Sequence, residues 1–161
     1  MNAGRILATV ALLAGAASSA SAQTATQDVT IAVSAISQIA VTGGAQSLTV
    51  NTATAGNAPS AASVGVTWAI TTNQSDQKIT AQINSAMPAG VTLSAELAAP
   101  GGSSTSAGAV TLTTTAADVV NNIDTAQANG LTLQYTLSAT TAAGVVASTT
   151  RTVTYTITAG P

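Results

Sequence analysis

Apolar side chains alternate with Thr and Ser along most of this chain, with a period of two residues. That period is typical of a β-strand with one buried face, because successive side chains of a strand point to opposite sides of its sheet. In the first such segment, which begins at Val29, apolar residues hold mostly odd positions as far as Val41. Further strands are predicted around the following apolar positions: Leu48 and Val50; Val64, Val66, Trp68 and Ile70; Ile79, Ala81 and Ile83; Val91, Leu93, Ala95 and Leu97; Val110 and Leu112; Leu131, Leu133, Tyr135 and Leu137; Val153, Tyr155 and Ile157.

Residues that favour turns separate these segments, and no long helix is predicted. Gly, Pro, Asn and Asp cluster at residues 43–44, 73–76 and 87–90, and residues 98–108 have no periodicity and are expected to form a loop. Residues 116–122 are expected to form an irregular crossover, because two Asn residues continue a helix poorly. About eight strands with short connections predict an all-β fold, an antiparallel immunoglobulin-like Greek-key β-sandwich. A β-solenoid would need a fixed short repeat, and the chain contains only one pair of weakly similar segments.

The first 22 residues have the three parts of a secretory signal peptide. Arg5 gives a positive start, residues 6–17 form a short apolar stretch, and the small residues Ala20-Ser21-Ala22 precede Gln23. We therefore expect a signal helix in residues 1–22 and one mature β-sandwich domain in residues 23–161. The expected location is secreted, either extracellular or on the cell surface. A retained membrane anchor is the less favoured interpretation, because no basic stop-transfer flank follows.

Charge is scarce and slightly negative. Only 5% of the chain is charged, and it has no His and no Cys. Without Arg5, two cations face five carboxylates, which gives a formal net charge of −3. The two cations are Lys78 and Arg151, and the carboxylates belong to Asp28, Asp76, Glu96, Asp118 and Asp124. Since no basic patch can neutralise phosphates, a nucleic-acid partner is not expected, and no segment after the signal peptide is apolar enough to span a membrane.

The mature sequence contains few side chains of the types that catalyse reactions. His, the commonest general base, and the Cys thiolate are both missing, and the five carboxylates are scattered through turns and strand ends. We therefore expect no enzymatic activity, no catalytic residue and no cofactor. Asp118, Asn121, Asn122 and Asp124 lie close in sequence but lack the spacing of a calcium loop, so turn capping explains them better than a metal site.

Two features leave a monomeric binding module open as an alternative function. Trp68 is the single Trp and could stack on a carbohydrate. It lies, however, on the same face of its predicted strand as Val66 and Ile70, which favours a position in the core. The Thr residues at alternate positions of residues 150–158 could match an ice lattice, although sandwich sheets twist and Thr is common on exposed strand faces. Adhesion to another protein of the surface is the third form of this alternative.

The two terminal strands are unusually regular and are both candidates for edge pairing. These are residues 28–35 and residues 148–158. If residues 28–35 leave their own domain and fill a groove in a neighbour, the apolar side chains of Val29, Ile31 and Val33 become the buried residues of a self-assembly strand. The alternative is that the same residues form the first strand of their own sandwich. The favoured function is a secreted or cell-surface structural protein that self-associates into a filament by strand donation.

Three stretches carry a resemblance to known proteins. They are Asp28-Val29-Thr30-Ile31-Ala32-Val33, Thr67-Trp68-Ala69-Ile70-Thr71-Thr72-Asn73 and Thr152-Val153-Thr154-Tyr155-Thr156-Ile157. They resemble secreted bacterial Ala/Thr-rich β-sandwich proteins, and the layout is more distantly similar to fimbrial subunits and spore-coat-U-type domains. That resemblance implies assembly by strand donation. The chain departs from it in two ways, because the disulfide common in fimbrial subunits cannot form here and Tyr155 is not penultimate. No functional residue is carried over.

Overall fold

The computed structural model describes residues 21–160. The chain divides into two units, Met1–Ala32 and Val33–Pro161. In the first unit the described residues, 21–32, contain no helix and no strand, and their side chains are exposed. The predicted signal helix falls almost entirely on residues outside the described part, so the signal peptide and the domain boundary after residue 22 stay predictions.

The second unit consists of two antiparallel sheets with nine strands in its described residues, which confirms the predicted all-β class. The strands are β1 (Ser37–Val41), β2 (Ala62–Thr72), β3 (Gln77–Ile83), β4 (Val91–Leu97), β5 (Thr105–Ser106), β6 (Val110–Thr111), β7 (Ala117–Ile123), β8 (Ala126–Ala139) and β9 (Val153–Ala159). One sheet has the order β1-β2-β8-β4-β6, and the other has the order β5-β7-β3-β9. A short 3-10 helix, Thr141–Ala143, precedes β9. No helix within residues 21–160 has the length and apolar character needed to cross a membrane.

The apolar core lies between the two sheets and is built from the predicted inward-facing rows. Trp68 on β2 has no exposed surface, which confirms that its parity places it in the core rather than on a sugar-stacking face. The other buried apolar residues of the described chain are Ile70, Ile79, Ala81, Ile83, Leu93, Ala95, Leu97, Leu112, Val119, Val120, Ile123 and Leu133. With no disulfide available, burial of this apolar surface and the backbone ladders stabilise the fold.

The structure corrects four details of the sequence-based expectation. Residues 117–123 form β7 and not an irregular crossover, since Val119, Val120 and Ile123 are buried. Asn122 lies in this strand at a positive φ of 55°, which Asn tolerates better than most residues, near an irregularity in the pairing with β3. The two-residue strand β5 lies inside the predicted loop of residues 98–108. The described chain has nine strands where about eight were expected, because β5 and β7 are added and the segment around Leu48 and Val50 is not a strand.

The other two corrections concern predicted strands that are absent from the described chain. Leu48 packs against the core, but the segment around Leu48 and Val50 pairs with no strand. Residues 28–35 also lie outside every strand, and the first strand of the domain begins only at Ser37. The alternative in which these residues form the first strand of their own sandwich is therefore wrong.

Candidate assembly site

The predicted self-assembly strand is an exposed apolar segment. The exposed fractions of Val29, Ile31 and Val33 are 75%, 88% and 86%, and these side chains alternate with Thr30 and Ala32. Complete burial of one such aliphatic side chain is worth about 1.5–3 kcal/mol. The segment thus keeps the alternation of a half-buried strand while none of its apolar side chains is buried.

Asn73 fixes the point at which this segment enters the domain. Its side-chain Nδ2 donates to the Ser34 carbonyl at 2.8 Å, and its Oδ1 accepts the Ile36 N–H at 2.8 Å. Its backbone N–H donates to the Ile36 carbonyl at 3.2 Å. Asn73 follows directly after β2, so residues 34–36 are held beside the end of that strand. From the sequence, Asn73 is predicted only to be a turn residue. The one sequence signal for its contact with residues 34–36 is an Asn side chain directly after a predicted strand.

The domain has one long edge strand with an incompletely buried inner face, β9. Its inward-facing residues Val153, Tyr155 and Ile157 pack against the core but are only half-buried. The edge position predicted for the C-terminal strand is confirmed, because β9 pairs only with β3 within residues 21–160. The strand begins at Val153 and not near residue 148, because residues 144–152 are irregular.

Hydrogen bonds just beyond the two ends of β9 show which of its backbone groups face β3. The Asn84 N–H donates to the Thr152 carbonyl at 3.0 Å, and the Gly160 N–H donates to the Asp76 carbonyl at 2.6 Å. Residues of an antiparallel pair alternate between those that exchange hydrogen bonds with the partner and those that do not. Both observed bonds involve even-numbered residues of the β9 segment. The even-numbered residues of β9 therefore direct their backbone groups toward β3.

The odd-numbered residues of β9 direct their N–H and C=O groups away from β3. They are Val153, Tyr155 and Ile157, the same residues whose side chains face the core. The pattern on β3 agrees, because Ile83, which pairs with Val153, donates its N–H at 2.9 Å to the Thr113 carbonyl on the far side. The free edge of β9 therefore combines backbone donors and acceptors with half-buried apolar side chains.

The remaining edge strands of the described chain are shorter. β5 and β6 have two residues each, and β1 has five residues of which only Ile39 is partly buried. β1 contacts β9, so the two longest edges, one from each sheet, lie on the same side of the domain. A segment that adds to either edge would approach the domain from this side.

Two tyrosine hydroxyls bridge the sheets beside β9. The Tyr155 hydroxyl donates to the Tyr135 hydroxyl at 3.0 Å, from β9 to β8. Burial raises the pKa of the Tyr155 phenol far above its ordinary value, and the hydrogen bond to Tyr135 adds to that shift. Burial also raises the pKa of the Tyr135 phenol, although the same hydrogen bond opposes the shift. Both phenols therefore stay neutral over the physiological range, and their hydrogen bond joins β8 of one sheet to β9 of the other.

The acidic residues weighed as calcium ligands are not brought together. Asp118 lies at the start of β7 and pairs with Lys78 at 3.2 Å. Asp124 follows the other end of β7, about 20 Å away along a strand of this length, and its Oδ2 accepts the Ser103 hydroxyl at 2.7 Å. Within residues 21–160 no group of three or more acidic, His or Cys side chains is placed to hold a metal ion.

Uncharged side chains line two of the clefts in the surface of the described domain. A cleft of about 190 Å³ lies between Met87 and Leu112 and is edged by Thr residues. A second, of about 300 Å³, lies beside Ile36, Asn73 and Gln127. Neither contains an acid, a base or a buried nucleophile, so neither offers the groups that general acid–base chemistry requires.

Comparison of the chain with models of protein families, with curated proteins and with solved structures finds no match.

Proposed function

We propose that this protein is a secreted or cell-surface structural subunit that self-associates by strand donation, with residues 28–35 as the donated strand. The observation that carries the proposal is the exposure of Val29, Ile31 and Val33 in a segment with the alternation of a strand and no strand pairing. Extended segments of this kind add to sheet edges through backbone hydrogen bonds, while alternate side chains supply specificity. A head-to-tail contact of this type generates a filament when the rotation from one subunit to the next does not close a ring.

We propose further that the domain is an immunoglobulin-like Greek-key sandwich that lacks one strand. The order β1-β2-β8-β4 corresponds to the A-B-E-D sheet of that arrangement, and β3-β9 corresponds to C-F of its second sheet. The strand that follows F in the immunoglobulin arrangement, G, has no counterpart in the described chain. The half-buried inner face of β9 supports this assignment, since a strand in the G position would cover it.

The experiment is the assembly state of residues 23–161 with and without a single inward charge. Size-exclusion chromatography and negative-stain microscopy of the purified chain are expected to show polymers. Ile31→Asp is expected to abolish them, because the carboxylate would have to be buried at the centre of the donated strand. Thr30→Asp is the matched control, because it places the same charge one residue away on the outward face. A monodisperse monomer at high concentration would count against the proposal, and so would equal assembly of the two variants.

A further inference from the structure

An Asn-Gly pair forms a β-bulge in β8, the middle strand of the five-stranded sheet. The register with β2 shifts between Trp68 and Ile70, so that Asn129 and Gly130 together face the single residue Ala69. A bulge of this kind leaves the extra residue unpaired and disrupts the ladder locally. The ladder therefore constrains the backbone less at this pair than elsewhere along β8.

The other side of β8 also lacks a paired strand at this point. β4 pairs with β8 only from Leu133 to Ala139, and the Ala98 N–H donates to the Thr132 carbonyl at 2.9 Å just beyond that range. Asn129 and Gly130 lie further along and are both exposed. Water therefore reaches the pair, and the sheet holds it from one side only.

Gly130 makes the Asn129 side chain open to attack by the backbone. In this reaction the backbone nitrogen of the residue after an Asn attacks the side-chain carbon Cγ, and a Cβ on that residue would shield the nitrogen. Asn129 is the only Asn in the sequence that is followed by Gly, which has no Cβ. Gly130 has a φ of 64°, and apart from its chain neighbours nothing lies within 4 Å of the place that a Cβ would take. The space beside the attacking nitrogen is therefore open.

We propose that Asn129 is a site of spontaneous deamidation in the folded protein. The Gly130 nitrogen forms a bond to Cγ of Asn129, the bond from Cγ to Nδ2 breaks, and the proton of the Gly130 N–H passes through water to the leaving nitrogen, which departs as ammonia. Water then opens the cyclic imide at either of its carbonyl carbons and leaves aspartate or isoaspartate at residue 129. The overall reaction consumes water and releases ammonia, and no group is oxidised or reduced. The proposal is independent of the proposed function.

The new carboxylate would lie on the outer face of the sheet. Trp68 and Ile70 face the core on either side of Ala69, so the bulge opposite Ala69 faces outward. The mature chain would then have six carboxylates where it had five, against the cations of Lys78 and Arg151. Isoaspartate also lengthens the backbone, and a bulge accommodates this because the ladder is already interrupted there. We therefore expect the product to stay folded.

Incubation of purified residues 23–161 in mildly alkaline buffer tests the proposal. Anion-exchange chromatography separates the species that gain a negative charge, mass spectrometry of fragmented peptides locates the changed residue, and isoaspartyl methyltransferase labels isoaspartate. We expect a more acidic species in which Asn129 reacts before any other Asn. Asn129→Asp supplies the reference for the charge of the product.

Two substitutions by Gln form a matched pair. Asn129→Gln is expected to suppress the acidic species, because the longer side chain would have to close a larger ring. Asn57→Gln is the control, since Asn57 is also exposed but is followed by Ala58. This control is expected to leave the amount of the acidic species unchanged.

A third substitution tests the role of Gly130. Gly130→Asn adds a Cβ beside the attacking nitrogen and keeps a residue type that tolerates a positive φ. It is expected to slow the reaction at Asn129 and to leave the circular dichroism spectrum unchanged. An undiminished rate in a folded Gly130→Asn chain would overturn the proposed attack by an unshielded nitrogen.

The wild-type chain, folded and unfolded in urea, tests the proposal without any substitution. Failure of Asn129 to react in the folded chain would overturn the proposal, and reaction in the unfolded chain alone would show that the sheet protects the pair. Equal reaction at Asn57 or Asn84 would overturn the selectivity assigned to the Asn-Gly pair. Loss of the folded circular dichroism spectrum in the product would overturn the placement of the change at a tolerant bulge.

Discussion

β3 and β9 pair with each other over seven residues, yet their inner faces are buried to different extents. The inner residues of β3, which are Ile79, Ala81 and Ile83, are at most 2% exposed. Those of β9, which are Val153, Tyr155 and Ile157, are only half-buried. The difference follows from position, because β3 has a strand on each side and β9 has a strand on one side only. The incomplete burial of β9 therefore reflects its position at the edge of the sheet and not a shortage of apolar residues.

The largest expected loss of stability comes from a substitution on β3, the strand whose inner face is fully buried. Ile79→Ala removes most of a side chain that has no exposed surface, so it is expected to lower the free energy of unfolding by about 2–5 kcal/mol. Urea denaturation of a chain that lacks residues 28–33 measures this value without interference from assembly. A loss below about 1 kcal/mol would mean that the core around β3 is looser than its burial indicates.

The matched substitution on β9 is expected to have a smaller effect. Ile157 pairs directly with Ile79, and Ile157→Ala in the same shortened chain is expected to lower the free energy of unfolding by about 1 kcal/mol, because part of the removed surface is already in contact with water. The cost is expected to rise when a peptide of residues 26–35 is added in excess, since the peptide would bury Ile157. Equal costs for the two substitutions without peptide would remove the contrast between β3 and β9.

A smaller and pH-dependent effect is expected from the tyrosine pair between the sheets. The pKa of each phenol is higher in the folded protein than the value near 10 in the unfolded chain. Above about pH 10 the folded state therefore binds more protons than the unfolded state, and the free energy of unfolding falls as pH rises; below that pH the pair contributes no pH dependence. Urea denaturation at several values between about pH 8 and about pH 11 measures the fall.

The double variant Tyr135→Phe/Tyr155→Phe is the control for the pH effect. It keeps both rings and removes both titrating groups, so it is expected to flatten this part of the pH profile. A wild-type profile that matches the profile of the variant would show that burial of the pair does not couple to folding.

Strands with clear alternation were predicted well from the sequence. Val64 to Ile70, Ile79 to Ile83 and Val91 to Leu97 lie in β2, β3 and β4, with the predicted faces inward. The strand β7 was missed because Asn121-Asn122 interrupts its apolar pattern, and the start of β8 was missed because Ala126 to Gly130 has no large apolar residue. In both segments pairing with neighbours outweighs local preference.

The candidate site could be predicted only in part. The sequence marks residues 28–35 and the C-terminal strand as the regular terminal segments, but alternation looks the same in a strand with two neighbours, with one neighbour or with none. The order of strands decides which segment lacks a neighbour, and that order depends on contacts far apart in the chain. The role of Asn73 also needed the structure, because its partners Ser34 and Ile36 are remote in sequence.

The three hydrogen bonds of Asn73 have a mechanical consequence. A pulling force applied to residues 28–33 reaches the domain first at Ser34 and Ile36, where these bonds pass it to the end of β2 before β1 is strained. Because β1 lies antiparallel along β2 over five residues, a pull along its axis would have to slide the whole strand at once instead of peeling it one bond at a time. The Asn73 side chain thus places two hydrogen bonds, to Ser34 and Ile36, between the exposed segment and β1.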